Sequence, residues 1–170
     1  EDQAFFTPDS LENEYLNSIR YTDFVLQRIL DIMMEADQPL VMLYASDHGE
    51  YLNDYGDGFY GHGYRNHLTR FEIDVPFFLV VNERFLRDHP TEFAEMYKRT
   101  ELGVSHDNVS HTLLGLMGIY DATYQPEFDL SSKSFVENPR FIIERSNNIT
   151  LLDEVRFDNT KFEGTRKDRD

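Results

Sequence analysis

LVMLYASDHGE, residues 40–50, decides how this chain is read: six apolar residues in a row stop abruptly at an acid, an imidazole, a glycine and a second acid. The apolar part has no polar alternation, so it predicts a short strand buried on both faces, as in a parallel sheet. Upstream, Leu16, Ile19, Leu26, Ile29, Leu30 and Met33 recur at three- and four-residue steps. That period predicts a long amphipathic helix over about residues 11–35. Ser10 or Asp9 would cap it, Glu12 and Glu14 sit in its first turn, and Asp37, Gln38 and Pro39 end it. A helix feeding a buried strand predicts an α/β fold, a mostly parallel sheet flanked by helices, over one domain spanning 1–170.

Downstream, residues 49–63 hold five of the nine glycines and no apolar periodicity, which predicts a specialised loop. Residues 75–81 read as a second buried strand. Residues 82–98 read as helical, split by Pro90, with Thr91 as cap of the second half. Ser105 would cap a third helix that buries Val109, Leu113, Leu116 and Met117 and stops at Gly118. After Pro126 the chain turns polar, with weak strands expected at 141–144 and 154–157 and a frayed end over 165–170.

Composition narrows the function. Asp and Glu total 32 against 16 Lys and Arg, a formal charge of −16, so the basic footprint that a nucleic-acid partner requires is missing. With 40% hydrophobic and 14% aromatic residues the chain has the makings of a core. The longest apolar run is the seven residues 75–81, far short of the roughly 20 that span a bilayer, so a soluble stretch is expected. The absence of Cys removes disulfides, thiol nucleophiles and zinc fingers together. The sequence opens at Glu1 without Met or a signal-like segment, which suggests a processed chain or a piece of a longer one.

The end of the first strand is where chemistry is expected, because ligands in open α/β sheets bind outside the carboxyl ends of strands. Asp47 offers a hard oxygen and His48 a borderline nitrogen, a pair suited to Zn²⁺ or Mn²⁺. Neighbouring side chains on a strand point apart, so both reach one ion only if the backbone turns, which Gly49 permits. The alternative is that Asp47 caps a turn and His48 is an ordinary half-buried histidine. His62, between Gly61 and Gly63, is likewise either a ligand contact or an exposed residue of a glycine-rich hairpin. The two motifs together are more specific than either alone.

SDHGE at 46–50, GFYGHG at 58–63 and VPFF at 75–78 together resemble the C-terminal part of the alkaline-phosphatase superfamily, in its sulfatase-like branch. Within that branch the chain is most similar to the catalytic domain of the phosphoethanolamine transferases of bacterial envelopes. NEYLNSIRYTD at 13–23 is similar to the helix leading into the metal strand, and SHDNVSHTLLGL at 105–116 to a later helix of the family. The resemblance implies that Asp47 and His48 bind the catalytic metal, zinc or alternatively manganese, and that His62 lies beside the transferred phosphoryl group. Glu50 would orient His48 or close the loop. It further implies a threonine nucleophile, a phospholipid donor, and an envelope glycan or lipid A acceptor. The place would be the periplasmic face of the bacterial inner membrane, with a membrane anchor upstream.

The nucleophile and remaining ligands of that family precede the matched region, so they are expected before Glu1. Thr7 precedes a helix and Thr22 sits inside one, and neither has the strand context of a nucleophile. The chain alone is therefore expected to be inactive and to bind zinc weakly. His106 and His111 are five apart on one helix, about 140° from alignment, so they should not share an ion. His67 and His89 read as surface histidines. A sulfatase or phosphatase of the same superfamily is the competing reading, and a noncatalytic binding domain another. A Cys or Ser in a C/S-x-P-x-R context upstream would mark a sulfatase, and a threonine after membrane spans a transferase.

Overall fold

A cap fixes where the chain first becomes regular: Ser10 Oγ accepts a hydrogen bond from Asn13 N–H at 3.2 Å, and α1 runs over Leu11–Met34. The computed structural model describes residues 6–63, 69–143 and 149–152. His67, Glu144, the strand expected over 154–157 and the tail 165–170 lie outside the described residues. Beyond α1 come β1 (Val41–Ala45), β2 (Tyr51–Leu52), β3 (Tyr60–Gly61), α2 (Arg70–Ile73) and β4 (Phe77–Val81). They are followed by α3 (Glu83–Asp88), α4 (Pro90–Tyr97), α5 (Asp107–Leu116), β5 (Phe141–Ile143) and β6 (Ile149–Leu151).

The expected mostly parallel sheet is not what the described strands form. β1 pairs with β4 antiparallel, Val41 opposite Val81 and Ala45 opposite Phe77, and the β2–β3 and β5–β6 ladders are antiparallel too. The reason lies in the connection. Among the described residues of 46–76 there are a small hairpin and one short turn of helix, and no crossover helix that returns the chain to the start of β1. Among the described residues β1 has β4 as its one neighbour, and its five residues are half-buried instead of covered on both faces.

The core forms on one face of this ribbon. Phe77, Leu79 and Val81 alternate toward Phe85, Met96 and Leu130, joined by Val41, Phe93, Val104, Leu116 and Phe135. On the other face Tyr44 stacks on Phe78 with ring centroids 5.0 Å apart. Asn82, 2% exposed, ties three elements together. Its side-chain oxygen accepts from Phe85 N–H at 2.9 Å, capping α3, and from Leu40 N–H at 3.1 Å. Its amide donates to Gln38 O at 2.8 Å and Met33 O at 3.3 Å, latching the end of α1 beside the start of β1.

Two helix expectations change in detail. The chain divides at Pro90 as expected, but Pro90 itself opens α4, with His89 as the residue before it, so Thr91 is not the cap. A proline at the first helical position loses no hydrogen bond, because that N–H has no partner in any helix. On α5 the buried residues are Asn108 and Thr112, whereas Leu113 is 38% and Met117 62% exposed. The polar face turns inward because its groups have partners there: Asn108 donates to Phe128 O at 2.9 Å and Thr112 Oγ accepts from Leu130 N–H at 3.0 Å. Gly118 stops the helix at φ +69°.

Candidate metal centre

β1 ends with Ser46 N–H donating to Pro76 O at 3.3 Å, and the chain then turns sharply. Ser46 Oγ donates to His48 O at 2.8 Å and Asp47 Oδ1 accepts from His48 N–H at 3.1 Å, which pins residues 46–48. Gly49 passes so close to α2 that an added Cβ would lie 1.9 Å from Phe71 O, a fixed backbone atom. Its N–H donates to Glu72 O at 2.9 Å. No other residue type fits there.

The specialised loop is a hairpin. Tyr51 pairs with Gly61 and Leu52 with Tyr60, and extending that register by one residue sets Glu50 opposite His62. Glu50 Oε1 accepts from His62 Nδ1 at 2.7 Å. The loop is plugged by Tyr51, which is fully buried, rings with Tyr55, Phe59 and Phe71, and donates its hydroxyl to Asp57 at 3.0 Å. The hairpin folds back until the His48 and His62 ring centroids are 3.6 Å apart.

The hydrogen bonds decide which nitrogens are free. His48 Nδ1 lies 3.0 Å from Gly49 O and His62 Nδ1 lies 2.7 Å from Glu50 Oε1. An oxygen acceptor holds the proton on Nδ1, so each neutral ring keeps its Nε2 lone pair. One donor atom each from His48, Glu50 and His62 falls within 4.8 Å of the others, all three half-buried. Asp47 is 89% exposed at its side chain and its Oδ2 lies 3.7 Å from His48 Nε2. Two ligands of one tetrahedral zinc stand roughly 3.3 Å apart, so Asp47 and His48 reach a shared ion with a small side-chain adjustment. Imidazole nitrogens beside carboxylates are a zinc donor set, and the residues present fit that metal. Tyr15, on α1, senses the same charge: burial first, and then the carboxylate of Glu50, push its phenol above the usual range.

Sequence reasoning placed Asp47, His48 and His62 near one another and left Glu50 either to orient His48 or to close the loop; its hydrogen bond goes to His62, across the hairpin, which closes the loop. The hairpin register that creates this pair was the missed signal. His106 was also missed: its Nε2 lies 2.7 Å from Ser46 O, bracing the end of β1 from the start of α5. His111 accepts from Gln125 N–H at 3.2 Å and packs 5.5 Å from Phe128, in no contact with an ion-binding group given by these bonds. Both nevertheless line one open cavity of about 600 Å³ with Asp107 and Asn138. His89 stacks on Phe85 at 4.9 Å and is half-buried rather than a free surface residue.

Comparison with known proteins adds four findings. A family model described as Sulfatase matches residues 1–119. Phosphoethanolamine transferase EptA of Helicobacter pylori is 30% identical over 133 residues, covering 76% of this chain and 24% of that protein. The chain thus spans about a quarter of the length of that curated relative. Among solved structures, the C-terminal periplasmic domain of phosphoethanolamine transferase EptC from Campylobacter jejuni is 28% identical with a TM-score of 0.64, over 76% of this chain and 40% of that one. The corresponding domain of EptC from Escherichia coli, solved in complex with Zn, has a TM-score of 0.73 over 89% of this chain and 43% of that one. At 24% identity that last likeness is one of fold. No helix among the described residues is long and apolar enough to cross a membrane.

Proposed function

The chain belongs to the sulfatase family, and from that premise we propose that it is part of the catalytic domain of a phosphoethanolamine transferase, contributing Asp47 and His48 to a zinc site and His62 to the transferred phosphoryl group. The observation that carries the reading is the approach of the His48 and His62 rings to 3.6 Å at the carboxyl end of β1, both with Nε2 free. Bound there, zinc, or manganese in its place, supplies charge neutralisation at the phosphoryl oxygens and a lowered pKa for an attacking hydroxyl.

The chain's own residues do the rest. Gly49 O keeps the His48 proton on Nδ1, and Glu50 does the same for His62, so that both rings present a lone pair and not an N–H. Ser46 and His106 hold the turn on which Asp47 sits. Because the chain spans 24% of the length of its EptA relative, the threonine nucleophile, further ligands and a membrane anchor are assigned to the rest of a longer polypeptide. The same logic assigns the mostly parallel sheet to the complete domain, with further strands on the open edge of β1. The donor would be a phospholipid, the acceptor an envelope glycan or lipid A, and the place the periplasmic face of the inner membrane. The relatives favour transfer over hydrolysis.

The test is made on the full-length polypeptide, with phosphatidylethanolamine as donor and lipid A as acceptor. Asp47→Ala, His48→Ala and His62→Ala should each abolish transfer, and His111→Ala should not. The 170-residue chain alone should show no turnover, and its weak zinc binding by calorimetry should fall on Asp47→Ala but not on His111→Ala. Equal loss in both variants, or none in the first, defeats the metal assignment.

A further inference from the structure

Glu72 is the third residue of α2 and is 6% exposed, yet its carboxylate has no Lys, Arg or His partner among the described residues. Its charge is held by hydrogen bonds. Oε2 accepts from Thr69 N–H and Thr69 Oγ, both at 2.9 Å, and the first of these is the carboxylate's part in the capping box of a helix start. A capping box uses one carboxylate oxygen. The other, Oε1, leaves the helix and accepts from Gly63 N–H at 2.9 Å, the residue that follows His62. The main chain of the same residue works on the other histidine: Glu72 O accepts from Gly49 N–H at 2.9 Å, the residue that follows His48.

We propose that Glu72 is a positioning residue that sets the His48–His62 spacing, its side chain clamping the backbone beside His62 while its carbonyl clamps the backbone beside His48. The inference rests on reading that histidine pair as the metal and phosphoryl site. The β2–β3 ladder is two residues per strand, too short to fix its own end. A carboxylate buried with no cationic partner among the described residues is costly to retain, and a helix cap alone would be served as well by a neutral group. The need for two acceptor oxygens, one on each side, accounts for the acid.

The chemistry separates the clamp from the cap. Glu72→Gln keeps an amide oxygen for Thr69 but turns an NH₂ donor toward the Gly63 N–H, so it preserves the capping box and breaks the clamp. Thr69→Ala does the reverse. In the full-length polypeptide we expect Glu72→Gln to weaken Zn²⁺ binding about tenfold or more, the range found when groups that orient metal ligands are removed, and to speed hydrogen exchange of the segment carrying Gly63. Thr69→Ala should lower thermal stability while leaving zinc affinity and that exchange within twofold of wild type. Zinc binding lost in His48→Ala but unchanged in Glu72→Gln, or weakened equally in Thr69→Ala, overturns the clamp and leaves the site reading intact. Zinc binding unchanged in both His48→Ala and Glu72→Gln overturns the site reading, and the clamp falls with it.

Discussion

α1 and the segment after Pro126 invert what their sequences advertise. α1 has the clearest apolar stripe in the chain, yet Met33 is its one buried residue, and Ile19 and Ile29 on that stripe are 51% and 45% exposed. Residues 129–131, in a stretch that reads as polar and irregular, are all buried, Asp129 at 2% and Leu130 at 4%. An apolar period records that a helix has a face to cover, not that the cover is present. A polar segment goes inside when each of its groups has a named partner. Here they do. Asp129 accepts from Tyr124 Oη, Ser131 N–H and Ser131 Oγ, each at 2.7 Å. Arg99 donates to Leu130 O and, at 2.6 Å, to Ser132 O, with its guanidinium 4.7 Å over the Phe135 ring.

The comparison breaks most severely at Arg99, whose side chain is 8% exposed. Arg99→Ala strips the charged donor from two carbonyls of the buried segment and removes the cation from Phe135. We expect a loss of about 3 kcal/mol by urea denaturation, the range for leaving buried polar groups unpaired. A loss below about 1 kcal/mol would mean that the segment is held without Arg99, by Leu130 and the hydrogen bonds of Asp129.

The same contrast separates what was legible from what was not. Features set by local chemistry could be read directly: the Ser10 cap, the apolar run of β1, the break at Pro90, the stop at Gly118. Each depends on a few neighbouring residues. The direction of β4 could not, because it follows from the route of residues 46–76 and not from the apolar content of residues 77–81. The inward turn of Asn108 and Thr112 could not either, since their acceptors and donors lie at Phe128 and Leu130, some 20 residues on. At the site, the residue types Asp47, His48 and His62 stood out, but the Glu50–His62 pair needed the hairpin register.

A second, smaller effect is a pH dependence in the polar segment. Burial first, and then its hydrogen bond to Asp129, push the Tyr124 phenol up to about 12 from an ordinary 10.0. A pKa raised on folding stabilises the protein fully below the ordinary value and is lost as pH climbs through the folded one. Thermal denaturation should therefore show wild type losing stability between about pH 10 and 12 more steeply than Tyr124→Phe, which has no proton to lose. Parallel curves would remove Tyr124 from the network.

The smallest expected effect belongs to the element with the clearest apolar stripe. Ile29→Ser replaces a residue of that stripe that is 45% exposed, with little change in helix propensity, so in the 170-residue chain it should change stability by less than about 1 kcal/mol. That would be an odd result for an isoleucine on an apolar stripe if the stripe faced a finished core. The likeness to periplasmic domains of which this chain covers 40% and 43% gives the reason, because a helix can lie uncovered here and be covered in a longer polypeptide. The same substitution in the full-length protein is then expected to cost several times more. A large cost in the short chain would show that α1 already packs against something in it; a negligible cost in both would show that the stripe has no partner in the domain, and the contrast with the buried polar segment would be complete.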